Sequence, residues 1–122
     1  MKRVSSVFFL IVSLICCGSI FAAEIHVPAD YTTIQAAIDA AVAGDEVILA
    51  DGTYTGDGNR DISFLGKGIT VRSLNGPEYC RLDGAVSKDE YRAFSFENGE
   101  SSEAVLQGIS IENFLVRAIT VI

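Results

Sequence analysis

The segment Tyr31–Tyr54, YTTIQAAIDAAVAGDEVILADGTY, constrains the fold of this chain more than any other stretch. Thr32 and Gln35 stand three apart, as in a capping box, where a hydroxyl accepts from the third helical amide and the glutamine reaches back to the cap amide. Ile34, Ala37, Ile38, Ala41 and Val42 follow at the spacing of one apolar helical stripe. Gly44 offers a left-handed stop, and Val47 and Leu49 then read as a buried strand that turns at Gly52-Thr53-Tyr54. The pattern predicts an amphipathic helix of about three turns, too short to be stable alone. Its stripe must therefore cover another element.

What it covers is suggested by recurrence. Val47/Leu49, Ile69/Val71, Phe94/Phe96 and Ile119/Val121 are apolar pairs two residues apart, and their first members are separated by 22, 25 and 25 positions. Thr70, Ser95 and Thr120 sit between the later pairs, so those strands alternate inward and outward. Asn75-Gly76 and Asn98-Gly99 form a second ladder, and Leu82-Asp83-Gly84 with Leu106-Gln107-Gly108 a third, at intervals of 23 and 24. A shared period of this length implies stacked units, none able to bury its apolar face alone. Glycines and turn residues interrupt each apolar run before it makes two helical turns. The expected fold class is all-β, a parallel β-helix (solenoid) closed at its N-terminal end by the helix. An antiparallel sandwich with a leading helix is the alternative.

The runs Thr33-Ile34-Gln35-Ala36-Ala37-Ile38, Gly44-Asp45-Glu46-Val47 and Gly52-Thr53-Tyr54 resemble the N-terminal end of proteins of the pectin lyase-like superfamily. Gly68–Arg72 and Leu106–Asn113 look like that family's coil strands. The resemblance implies a right-handed parallel β-helix with an N-terminal capping α-helix, and a protein that acts on or binds extracellular polysaccharide. A full-length relative could be a polysaccharide lyase or glycoside hydrolase, with Ca2+ as a possible cofactor. A non-catalytic surface or adhesion rod is the other expectation. Members of the family run to more coils, whereas this chain stops at Ile119–Ile122 inside a strand and so reads as apparently truncated. Further coils are expected to stack on residues 119–122, with any active site on them, and this chain alone is expected to be inactive. The alternative is a complete small protein that dimerises through its open end.

Residues 1–22 read separately as a secretory signal peptide, leaving 23–122 as the domain. Met1-Lys2-Arg3 is basic, Val4–Ile15 is apolar but shorter than a membrane span, and Gly18–Ala23 is made mostly of small residues. Cleavage is expected after Ala22, giving a secreted, extracellular or periplasmic protein with no membrane attachment. An uncleaved anchor is one alternative. Lipidation at Cys16-Cys17 is another, although Leu14-Ile15-Cys16 puts a cysteine where glycine or alanine is wanted. After cleavage only Cys80 remains, so no internal disulfide can form. Loss of Lys2 and Arg3 moves the net charge from −7 to −9, because 7 basic residues then face 16 acidic ones. Such a chain is a poor partner for nucleic acid and repels polyanionic glycans unless a cation intervenes.

No catalytic, cofactor-binding or metal residue is assigned from the sequence. His26, the single histidine, reads as a surface or partly packed residue rather than a catalytic base. Asp57-Gly58-Asn59-Arg60-Asp61 begins like a calcium loop, but Ile62 and Gly68 occupy the positions that need Gly and Glu, so a solvated turn is expected. Asp83 and Gln107 are expected to stack at one turn. Arg72, Arg81, Arg92 and Arg117 are expected on the surface, where they could line a glycan-facing side.

Overall fold

The computed structural model describes residues 22–85, 89–114 and 118–122. The apolar leader up to position 21, Cys16-Cys17 and Arg117 lie outside the described residues. The single described helix, α1 (Ile34–Ala40), is shorter than its pattern predicts and is capped one residue later. Thr33, not Thr32, is the N-cap, and its Oγ1 accepts the Ala36 N–H at 3.2 Å. Gln35 turns away from the cap and exchanges two bonds with the Ser63 backbone, at 3.1 and 2.8 Å. The chain leaves the helix at Ala41, whose φ of −71° and ψ of 151° are extended. Ile34, Ala37, Ile38 and Ala41 are buried as expected, whereas Val42 lies beyond the last turn and is 65% exposed.

The described residues form ten short strands beside this helix. They are β1 (Glu24–Val27), β2 (Glu46–Leu49), β3 (Gly52–Tyr54), β4 (Ile62–Ser63), β5 (Thr70–Ser73), β6 (Cys80–Asp83), β7 (Phe94–Phe96), β8 (Val105–Gln107), β9 (Ser110–Glu112) and β10 (Ile119–Val121). They form three sheets, with orders β1-β2-β5-β8, β3-β6-β9 and β4-β7-β10. Every pairing described is parallel, which excludes the antiparallel sandwich.

This architecture corrects the expected fold class. The described residues form one helix and three small parallel sheets of three or four strands, rather than a regular all-β solenoid of even coils. Register shows why the sequence ladders misled. Ile25, Val47, Val71 and Leu106 are partners in the first sheet, separated by 22, 24 and 35 positions. Tyr54, Leu82 and Ile111 are 28 and 29 apart, and Ile62, Phe94 and Ile119 are 32 and 25 apart. Phe94 therefore aligns with Ile62 and Ile119, never with Val47 or Val71. The Leu82 and Leu106 runs likewise belong to different sheets. The step from Phe94 to Ile119 is the observed register, whereas the step from Ile69 to Phe94 and the Leu82–Leu106 ladder matched residues across sheets. Ser95 and Thr120 also depart from expectation, each being only 7% exposed.

One apolar core joins the sheets. Phe64, fully buried, stacks edge-on to Phe94 with centroids 6.2 Å apart and lies 4.7 Å from Phe96. The α1 stripe closes this core against β1, β2 and β4.

Candidate functional site

The outer face of the first sheet sets partly exposed hydrogen-bonding side chains on adjacent strands. Val47 and Leu49 enter the core, so the pleat turns Glu46 and Ile48 the other way. Register then gives two outward rows, Glu24–Glu46–Thr70–Val105 and His26–Ile48–Arg72–Gln107. Ile48 agrees with this placement, since it is buried yet outside the core cluster. Arg72 Nε lies 3.2 Å from Glu46 Oε1, and its Nη1 donates to the Ser73 carbonyl at 3.2 Å. His26 Nε2 lies 3.7 Å from Glu24 Oε1. The face can donate and accept hydrogen bonds along a line of strands about 4.8 Å apart. It holds no hydroxyl or thiol activated by a neighbouring base.

The other arginines singled out in the sequence are spread over different faces. Arg81 on β6 pairs with Glu112 at 3.0 Å. Arg92, ahead of β7, pairs with Glu97 at 2.7 Å and approaches Asp61 at 3.9 Å. Arg60 joins Asp57 and lies 3.7 Å above the Tyr91 ring. Asp83 and Gln107 are not brought together: Asp83 is opposite Glu112, and Gln107 is opposite Arg72. Asp83 instead accepts from the Ala85 N–H and the Asn113 amide, which hold its carboxyl below the usual range.

The Asp57–Asp61 turn serves the helix. Asn59, buried, accepts the Ile34 N–H at 3.0 Å and donates to the Thr55 carbonyl at 3.0 Å, while Gly58 O accepts the Gln35 N–H at 2.9 Å. Asp61 accepts the Arg92 N–H at 2.9 Å. Among the described residues no group of three or more His, Cys, Asp or Glu is placed to hold a metal ion.

Three residues matter more than their sequence context suggests. Lys67 Nζ donates to the carbonyls of Ile38, Asp39 and Ala41 at 2.8, 3.1 and 2.7 Å, closing the C-terminal end of α1 from 26 or more positions away. Asp45 is 6% exposed and accepts from the Ala23 and Val42 N–H groups, both at 2.9 Å. Those bonds hold its carboxyl below the usual range. Tyr54, buried, has its hydroxyl within bonding distance of the Val27 and Ala50 carbonyls, at 3.1 and 2.7 Å, and burial pushes its pKa up to about 12. Cys80 is 1% exposed and burial raises its thiol to about 11, so at neutral pH it is a packing residue rather than a thiolate.

Comparison with protein-family models, with curated proteins and with solved structures finds no significant match. The described residues include no helix long and apolar enough to cross a membrane.

Proposed function

We propose that this chain is an exported module that binds extracellular polysaccharide through the outer face of its first sheet and does not itself cleave the polymer. The observation that carries the reading is the pair of outward rows on that sheet. Glu46 and Thr70 in one row, and Arg72 and Gln107 in the other, lie on adjacent strands and present acceptors and donors in two parallel lines. An extended polymer of hydroxyl groups can match such a line with repeated polar contacts, each modest alone. The net charge of −9 left by removal of the leader favours an uncharged glycan over a polyanion. Export is supported by the basic-apolar-small leader, and polysaccharide as the ligand class by the resemblance of the helix and first strands to pectin lyase-like proteins.

Native gels cast with neutral or anionic polysaccharides test the reading. The parent chain is expected to be retarded in at least one neutral gel, and Arg72→Ala and Gln107→Ala to run freely there. Absence of retardation in every gel, or equal retardation of parent and variants, overturns the proposal. A second reading, a structural element that extends by further strand pairing, is favoured by the exposed edges of β8, β9 and β10. Light scattering that reports only monomer would count against that second reading.

A further inference from the structure

We propose that hydrolysis of the Ala22–Ala23 peptide bond during export creates an α-ammonium that pairs with the buried carboxylate of Asp45, so that processing itself locks the first strand to the body of the fold. The inference rests on the export reading above. Water supplies the balance: its oxygen goes to the Ala22 carbonyl carbon, leaving a carboxylate on the leader, and its protons complete the ammonium on Ala23.

The geometry is already in place. The Ala23 nitrogen lies 2.9 Å from Asp45 Oδ1, and the Ala23 carbonyl accepts the Glu46 N–H at 2.9 Å, so this residue is held from both sides. Asp45 Oδ2 accepts the Val42 N–H, and the Asp45 carbonyl accepts the Thr70 N–H at 3.1 Å. One aspartate therefore ties the leader exit, the helix-to-strand turn and β5 together. Its side chain has neutral N–H donors, and no ion pair to it occurs among the described residues. Lys67, the nearby cation, spends its ammonium on the α1 carbonyls. The two N–H bonds already favour the charged form of Asp45, and a charge-assisted bond is roughly twice as strong as a neutral one. A free amine at Ala23 supplies the positive charge where the amide now sits.

The test uses the full precursor in an exporting host. Intact mass is expected to show an exported chain beginning at Ala23. A variant with Gly-Ser inserted between Ala22 and Ala23 keeps the Ala23 nitrogen as an amide, and is expected to melt about 4–8 °C lower. That difference should vanish when both chains also carry Asp45→Asn. The α-amine of the parent should acylate several-fold more slowly than that of the insertion variant, a readout that does not require Asp45→Asn to fold. Equal melting, a difference that survives Asp45→Asn, equal acylation rates, or an exported chain starting elsewhere overturns the lock alone. Failure to export any chain overturns the export reading together with it.

Discussion

The two ends of the sheet stack are built from similar apolar strands and have opposite fates. At the end covered by α1, Val27, Ile34, Ile38, Val47 and Leu49 are all 0% exposed. At the other, β8, β9 and β10 are edge strands, and Ile119, Val121 and Ile122 are 44%, 72% and 87% exposed. A cavity of about 270 Å³ lined by Phe96, Glu100, Ser101, Ala104 and Val121 opens there. Apolar alternation thus makes a strand eligible for a core, and a covering element makes it core. The cover is a helix of seven residues, well below the length that is stable alone. Tertiary bonds hold it: Asn59 at its start, Gln35 on Ser63, and Lys67 at its end.

The sharpest way to break this comparison places the same charge at each end. Ile38→Asp puts a carboxylate into a fully buried apolar site, and should cost about 4–5 kcal/mol or more, enough to send the chain into inclusion bodies. Val121→Asp, at a largely exposed position, should change stability by less than about 0.5 kcal/mol. Soluble yield and urea midpoints compare the two directly. Similar losses in both variants would mean that α1 is no more a cover than solvent is.

The covered end should also be the one that responds to alkali. Tyr54 bridges toward the Val27 carbonyl at that end, and its folded pKa is about 12 against the ordinary 10.0. Below pH 10 the phenol is neutral in both states and its contribution is complete. Between pH 10 and 12 the unfolded chain ionises first, so stability falls by up to about 1.4 kcal/mol per pH unit. Cys80 acts in the same sense from a lower start, 9.0 rising to about 11. Tyr54→Phe should flatten the upper part of this decline, at a cost of about 1 kcal/mol near neutrality for the lost hydroxyl bonds. An unchanged slope of melting temperature against pH would assign the alkaline loss to another group.

Local chemistry was legible in the sequence, and long-range partnership was not. The helix stripe through Ile34, Ala37, Ile38 and Ala41 and the strand at Val47 and Leu49 follow from short-range periodicity. Parallel pairing followed from the recurrence of short apolar strands and turns at a long interval. The even period failed because the chain from β5 to its partner β8, and from β4 to its partner β7, is longer than that between other paired strands, and no residue type marks which strands share a sheet. Val42 was placed on the stripe because an i+4 pattern cannot see where Ala41 leaves the helix. Asn59 reads as a calcium-loop oxygen from its neighbours, yet its partner is Ile34, 25 positions away. Arg72, Arg81 and Arg92 carry partly exposed side chains, as the surface reading expects, while Arg117 lies outside the described residues; the acids beside Arg72 and Arg81 come from other strands.

Those ion pairs give the smallest expected effect and the finest test of the two-end comparison. Arg72–Glu46 joins β5 to β2 next to the covered end, with side chains 29% and 37% exposed and a further bond to the Ser73 carbonyl. Arg81–Glu112 joins β6 to the edge strand β9, with side chains 52% and 45% exposed. Greater solvation screens the second pair more strongly, and an edge strand holds its partner less firmly. Double-mutant cycles with alanine at each pair should give couplings within about 0.2–1 kcal/mol, with Arg72–Glu46 the larger and Arg81–Glu112 nearly abolished in 1 M salt. A reversed ranking would show that β9 is as well held as β2, and that exposure at the open end does not translate into looser structure there.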